Sequence, residues 1–295
     1  MSPRLLPSRF ILIIGAMKSG TTSLFHHLSR HPAICASPVK EVKFFSSSDQ
    51  WELGAGWYAS CFDYDPRVHQ FAMEASTDYT KRPYLEGVVP RMRQLEGVDY
   101  RFIYIMRNPL RRIESHARHL DRTKREIGRD VATLEDVSLD AGISDVWIDL
   151  SRYAYQLEPY VEAFGAGTIH LTTLEQLQSD PARVMSEVFA FLGLEPCEID
   201  AHDAANQAFD GMAPVAAWAA ASRIGPLNRA YTTVVPRTVR AKIRDLVSVR
   251  SSGFGRYALT KAEEESVVDR LREDLRALSK NYGVDVERLW GIPVE

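Results

Sequence analysis

The sequence predicts an α/β fold, with a central, mostly parallel sheet and helices on both of its faces. Two observations carry this expectation. Short aliphatic runs alternate with longer amphipathic ones along the chain, the order that builds parallel sheets covered on both sides. The two sharpest motifs, after residue 15 and after residue 106, each fall where a strand gives way to a helix. Ligands bind at that end of the sheet in folds of this class.

The elements follow in order. Residues 10–15 are β-branched and aliphatic and close on glycine, the pattern of a buried strand. Thr21 to Arg30 has helical spacing, with Leu24, Phe25 and Leu28 on one face, and His31-Pro32 ends it. Residues 69–74 form a short second strand and residues 101–106 a clearer one. Asn108-Pro109 opens a helix over Leu110–Leu120, proline being suited to a first helical turn. Residues 121–150, charged and rich in Gly and Asp, are expected to be an excursion or lid outside the core. A helix over Tyr153–Phe164, a strand over Thr168–Thr172 and a helix from Asp180-Pro181 to Leu192 come next. Residues 198–240 are weakly patterned, and 251–256 read as a glycine loop. Thr260 with Glu263 starts a capped helix that runs to about Tyr282, with 263–276 as an exposed, ion-paired stretch. The whole of 1–295 is expected to be one domain.

Composition narrows the function. With 45% hydrophobic residues in 295, the chain can bury a core without disulfides or structural metals. A net charge of −3 gives no global reason to expect a nucleic-acid partner. Cys35, Cys61 and Cys197 are far apart and form neither a disulfide framework nor a zinc motif, so a reducing compartment, the cytoplasm, is expected. The apolar run near the N-terminus is too short for a membrane span, and no segment approaches the roughly 20 residues that one needs. The basic stretch of Arg111, Arg112, Arg118, Arg122, Lys124 and Arg125 reads as a solvated helix face, with attraction of an anionic acceptor as the alternative.

The loop Gly15–Ser23 carries the chemistry. Glycines and small hydroxyl residues between a strand and a helix let backbone N–H groups converge on an anion, and the helix N-terminus adds partial positive charge. Lys18 adds a full charge, and Thr21, Thr22 and Ser23 can donate from hydroxyls. Gly15 and Gly20 have the spacing of a nucleoside-triphosphate loop, but Thr21 stands in the lysine's place. The strand 101–106 ends in Arg107 where a magnesium site would want an aspartate. A cationic site that needs no metal is therefore expected. An NTP-dependent kinase and a nucleotide-binding module without catalysis remain as alternatives.

"GAMKSGTTSLFHHLSRHP", Gly15 to Pro32, resembles the 5′-phosphosulfate loop of the sulfotransferases that use 3′-phosphoadenosine-5′-phosphosulfate (PAPS). "RNPLRRIESH", Arg107 to His116, resembles their 3′-phosphate motif. "KEVKFFS" at 40–46, "GWY" at 56–58 and "FLGL" at 191–194 resemble the branch with heparan-type and related bacterial carbohydrate and small-molecule sulfotransferases. The resemblance implies a P-loop-like three-layer fold and a PAPS donor, with adenosine 3′,5′-bisphosphate (PAP) as product. It also implies sulfuryl transfer to a hydroxyl, less readily an amine, of a small-molecule, glycolipid or carbohydrate acceptor.

The same resemblance assigns roles. Lys18 binds the 5′-phosphosulfate and stabilises the bridging oxygen, and Ser19, Gly20, Thr21, Thr22 and Ser23 cradle the phosphate. Arg107 and Ser115 hold the 3′-phosphate, and Glu41 is the base. Arg256, beside Gly255 in "SSGFGR", closes over the 3′-phosphate or is a solvated loop arginine. Tyr153 reaches the nucleotide or is a core tyrosine. Glu41 also has a plain alternative, pairing with Lys40 or Lys43. Lys43 stands where a histidine is common and is an acceptor-contact candidate. In "MEASTDYT", 73–80, Ala75 replaces the pattern's lysine and Thr77 its proline, which argues against highly anionic acceptors. Glu74 and Tyr79 of that segment line the cleft or pack.

Overall fold

A computed structural model describes residues 6–127, 143–197 and 258–294. Its frame is a five-stranded sheet, all parallel. The strands are β1 (Arg9–Gly15), β2 (Ile34–Ala36), β3 (Phe71–Ala75), β4 (Asp99–Met106) and β5 (Ile169–Thr173), in the spatial order β2-β3-β1-β4-β5. The central strand is the one whose sequence is apolar throughout. Phe10 to Ile14 are all fully buried, as a strand covered on both faces requires. Each such side chain removed from water contributes on the order of 2 kcal/mol.

The period of two sorts β1 between two cores. Ile11 and Ile13 pack with Leu24, Phe25 and Leu28 of α1 (Thr21–Leu28), and with Val184, Val188 and Leu192 of a later helix, Pro181–Leu192. Phe10, Leu12 and Ile14 face the larger core on the other side of the sheet. That core is built from α2 (Ser48–Glu52), α3 (Gly54–Ser60), α4 (Val88–Gln94), α5 (Pro109–Ile127), α6 (Asp145–Asp149) and α7 (Tyr153–Phe164). The chain then adds α8 (Leu174–Ser179), α9 (Pro181–Leu192), α10 (Lys261–Tyr282) and α11 (Val286–Trp290). Three layers result, as expected. No helix among the described residues is long and apolar enough to cross a membrane.

Three expectations need correction. The helix after Arg107 does not stop at residue 120 but continues to Ile127. Residues 144–150, expected in an excursion, are core: Ser144 caps α6, and Trp147, Ile148 and Leu150 are buried. Arg112, expected on a solvated face, is fully buried because α6 covers it. Its Nε donates to Ser151 Oγ (2.9 Å) and its Nη2 to the Trp147 carbonyl (2.6 Å). The short β2 strand was not anticipated. The expectations for 198–240 and 251–256 lie outside the described residues.

The helix α10 has the predicted capping box at Thr260 and Glu263. Its 263–276 stretch is not simply exposed, however. Val267, Leu271, Leu275 and Leu278 form a buried stripe, and Asp274 shares it. The Asp274 carboxylate accepts the N–H groups of Ala154 (3.1 Å) and Tyr155 (2.9 Å), and so caps α7, whose own N-cap residue, Arg152, supplies no side-chain bond. Burial pushes the Asp274 carboxyl up to about 6, against these backbone bonds.

A pH dependence follows. Between about 4 and about 6 the folded state holds a proton at Asp274 that the unfolded chain releases. This contribution to stability is therefore complete below about pH 4 and is lost as the pH rises through about 6. Asp274→Asn has no such term. Its stability relative to the parent protein is expected to improve by on the order of 2 kcal/mol between pH 4 and pH 7, measured by urea unfolding. Parallel stability profiles would contradict the assignment.

Candidate active site

The site forms where β1 and β4 end side by side. At the end of β1, a Cβ on Gly15 would collide with Thr80 Oγ1 and come within 2.7 Å of the Tyr104 ring, so only glycine fits. The Ala16 N–H donates to the Ile105 carbonyl (2.7 Å), tying the loop to β4. The chain turns through Lys18 in the left-handed region (φ 69°) and Gly20 (φ 92°), then enters α1 at Thr21. No side chain caps α1 and no acid lies in its first turn. Its first N–H groups have no intrahelical acceptors, and the positive end of its dipole faces the loop. Thr21 is buried, Ser23 half-buried and Thr22 exposed. The Ser19 N–H is not part of this set, since it closes the loop on the Ala16 carbonyl (3.2 Å).

Arg107 follows β4 directly and reaches the same loop. Its Nη1 donates to the Lys18 carbonyl (3.3 Å), which sets the guanidinium against the backbone of the loop. Burial draws the Arg107 pKa down, opposed by the Glu175 carboxylate nearby. The turn after it is held by groups that sequence reading missed. Glu175 of α8 accepts the Asn108 N–H (2.9 Å) and the Trp290 indole N–H (3.3 Å). Asn108 donates to the Trp290 carbonyl (3.3 Å) and caps α5 through the Leu110 N–H (3.0 Å). Ser115 lies about two helical turns into α5, half-buried. Of its two readings, Tyr153 takes that of a core tyrosine. It is fully buried and donates to the Arg107 carbonyl (2.6 Å), so it positions the arginine. Gly255 and Arg256 lie outside the described residues.

Glu41 sits on a strap, residues 40–46, laid along the end of β3. The Glu41 N–H donates to the Ala75 carbonyl (2.8 Å) and the Lys43 N–H to Ser76 Oγ (3.0 Å). Glu41 (φ 65°) and Lys43 (φ 60°) are both left-handed, a conformation that costs about 1–2 kcal/mol for such residues. Between and after them Val42, Phe44 and Phe45 are buried, with Phe44 stacked on Tyr58 at 4.3 Å. The Glu41 carboxylate accepts from Lys40 (2.6 Å), from the Thr77 N–H (2.8 Å) and from the Thr77 hydroxyl (3.3 Å). A proline at 77 would offer neither Thr77 donor. Thr77 begins a 3₁₀ turn, Thr77–Thr80, that also bonds β1: Ser76 N–H donates to the Ile13 carbonyl (3.2 Å) and Thr80 Oγ1 to that of Ile14 (2.7 Å). One turn therefore holds the base candidate and also ties to β1 beside the loop.

Glu74 and Tyr79 do not line the cleft. Glu74 is fully buried and accepts hydroxyl bonds from Tyr58 (2.8 Å), Ser76 (2.6 Å) and Tyr79 (2.6 Å). Burial raises its pKa, which those hydroxyls only partly offset. Both residues are core.

Two basic residues, Lys18 and Arg107, and an uncapped helix lie at adjoining strand ends of a P-loop-like α/β fold. The sulfotransferase domain model matches residues 8–208, and the chain belongs to that family. It is 30% identical over 205 residues to mouse heparan sulfate glucosamine 3-O-sulfotransferase 3B1, an alignment covering 66% of this chain and 49% of that protein. The chain thus spans about half the length of the curated relatives it matches. Among solved structures, a sulfotransferase from Alicyclobacillus acidocaldarius superimposes with a TM-score of 0.60 at 22% identity, covering 95% of this chain and 98% of that one. Mouse sulfotransferase SULT7A1 complexed with PAP gives 0.51 at 15% identity, covering 96% and 88%. At these identities the two structures support the fold.

Gly20 offers a test of the loop. An added Cβ would lie 2.6 Å from Leu174 Cδ1, and φ is positive. Gly20→Ala is expected to lower stability by about 1–3 kcal/mol in urea unfolding. Adding Leu174→Ala should not recover the loss, because the backbone strain remains and a cavity is added. An unchanged midpoint for Gly20→Ala would show that the left-handed turn is not required.

Proposed function

We propose that the protein transfers the sulfuryl group of PAPS to an acceptor hydroxyl, releasing PAP, without a metal ion. The observation that carries this reading is the Arg107 guanidinium bonded to the carbonyl of Lys18, which ties the arginine to the loop that opens an uncapped helix. The residues present suit the donor. The α1 N–H groups and Lys18 match the 5′ side, and Arg107 with Ser115 the 3′-phosphate. PAPS, when bound, supplies the activated sulfuryl group. The relative named a heparan sulfate 3-O-sulfotransferase supports a carbohydrate hydroxyl as acceptor, with small molecules and glycolipids in the same class. We further propose one catalytic domain and a cytoplasmic location, which Cys35, Cys61 and Cys197, none of them in a disulfide, support.

The roles follow from the placement. As the acceptor oxygen bonds to sulfur, its proton passes to the Glu41 carboxylate, which Thr77 and Lys40 hold in orientation. The bond from sulfur to the bridging oxygen breaks, and negative charge grows on the leaving phosphate. In this reading Lys18 and the α1 N–H groups stabilise that charge as it develops. Tyr153, Glu175 and Asn108 keep the Arg107 turn fixed.

Thermal-shift and transfer measurements test this together. PAP is expected to raise the melting temperature where ATP with magnesium and AMP do so weakly, and transfer from PAPS should survive EDTA. Lys18→Ala should lower kcat by about 10²–10³. Glu41→Gln should lower it by about 10²–10⁴ while PAP binding stays. Stabilisation by ATP–magnesium in preference to PAP would replace this reading with a kinase.

A further inference from the structure

Arg107 leaves the sheet through one peptide group that is held at both of its ends. The Arg107 carbonyl accepts from the Tyr153 hydroxyl (2.6 Å), and the Asn108 N–H donates to Glu175 Oε1 (2.9 Å). These two backbone groups share one rigid plane. Bonds at both edges resist its rotation, so they fix the second backbone torsion of Arg107 and the first of Asn108. Pro109 restricts Asn108 further, toward extended backbone. The neighbours of the turn thus set the direction in which the Arg107 side chain leaves it.

Both grips lead to one residue far along the chain. Trp290 ends α11, is buried, and lies against the ring of Tyr153, with centroids 5.8 Å apart and planes at 57°. Its indole N–H donates to Glu175 Oε2 (3.3 Å), the carboxylate oxygen that the Asn108 N–H does not use. Its carbonyl accepts from Asn108 Nδ2 (3.3 Å). Carbonyls of a last helical turn have no intrahelical partner, so this one is open to such a bond. Asn108 is then held at three atoms, since its Oδ1 also caps α5 through the Leu110 N–H (3.0 Å). A guanidinium donates from a rigid planar fork, which grips a phosphate well only when it is aimed. One Arg107 donor is used on the Lys18 carbonyl, and others remain.

We propose that Trp290 is a positioning residue for recognition of the 3′-phosphate, acting through Glu175, Asn108 and Tyr153 on the 107–108 peptide to aim the Arg107 guanidinium. This rests on the reading of Arg107 as a ligand of the 3′-phosphate. It puts a determinant of nucleotide selectivity in α11, 182 residues along the chain from Asn108. A Trp290 that only packed would affect every nucleotide alike through stability. A misaimed Arg107 weakens only the nucleotide that carries the 3′-phosphate.

PAP and AMP differ only in the 3′-phosphate, so the ratio of their affinities reads Arg107. Both are measured on the full chain by titration calorimetry, AMP through its competition with PAP. Trp290→Phe keeps a ring against Tyr153 and removes the indole N–H. It is expected to weaken PAP about tenfold, the range of one impaired charge-assisted hydrogen bond, and to leave AMP within about twofold. Glu175→Gln gives a test by sign. Its amide oxygen still accepts the Asn108 N–H, but its amide nitrogen cannot accept from the indole. The Glu175 charge favours the Arg107 cation and repels a bound phosphate, so a purely electrostatic role predicts tighter PAP in this variant, whereas positioning predicts weaker PAP. Leu192→Ala, in the core on the other face of the sheet, should lower the melting temperature and leave the ratio unchanged.

Melting curves report the folding of each variant, and Glu175→Gln, which opens no cavity, decides the outcome if Trp290→Phe unfolds. A PAP-to-AMP ratio that Trp290→Phe leaves at the parent value overturns the inference. So does an equal fall of the ratio in Leu192→Ala, or tighter PAP in Glu175→Gln. A parent protein that binds PAP no more tightly than AMP overturns the donor reading itself, and this inference with it.

Discussion

The site depends on one constraint: β1 and β4 are neighbours and run in the same direction. Parallel pairing puts the two carboxyl ends at one edge of the sheet, and adjacency sets them about 5 Å apart. The register shifts between Ile13 and Gly15, so that Gly15 lies opposite Tyr104, and the Ala16 N–H adds one more bond, to Ile105. Lys18 and Arg107 are 89 residues apart in the chain, yet the guanidinium reaches the lysine's carbonyl. An antiparallel β4, or one moved to the sheet edge, would send the arginine elsewhere. The unbroken apolar run of Phe10–Ile14 is what enforces the arrangement, since only a central strand can bury both of its faces.

Around this edge, distant parts of the chain are used to hold backbone rather than to touch a ligand. Tyr153 bonds the carbonyl of Arg107, Glu175 bonds the next N–H, and Trp290 ties Glu175 and Asn108 to the last helix. Asp274 caps the helix on which Tyr153 stands. Each of these groups satisfies a backbone or side-chain donor that would be costly to leave unpaired in a covered position. The stretch 258–294 is thus coupled to the site without contributing a candidate catalytic group.

How much of this was legible depended on whether the signal was local. The strand-to-helix loop with Gly15, Lys18 and Gly20, the strand ending in Arg107, and the capping box at Thr260 are written in consecutive residues, and they were read in place. Arg112 and Trp147 were not, because each is defined by the other: a buried arginine is tolerable only where a carbonyl and a hydroxyl meet it, and these come from 35 and 39 residues away. Tyr153 was left between the nucleotide and the core because a tyrosine at a helix start looks the same whether its hydroxyl points at a ligand or at the Arg107 carbonyl. β2 has three residues, too few for any period to register.

Glu41 and Glu74 make the same point about chemistry. In sequence each is a lone carboxylate flanked by small or apolar residues and, for Glu41, lysines. In the fold they end on opposite sides of Ser76. Glu74 is enclosed, bonded by three hydroxyls, and pushed toward its neutral form by burial, with the Glu41 charge adding to the effect. Glu41 is half-exposed and bonded by a backbone N–H and an ammonium. Two carboxyl groups in one locality take different tasks when their surroundings separate them. Here the enclosed one organises the turn, through Tyr58, Ser76 and Tyr79, and so fixes the strap that presents the open one. Ser76, which anchors Lys43 on the strap, is itself anchored by Glu74, so the buried acid helps to hold the segment that carries Glu41.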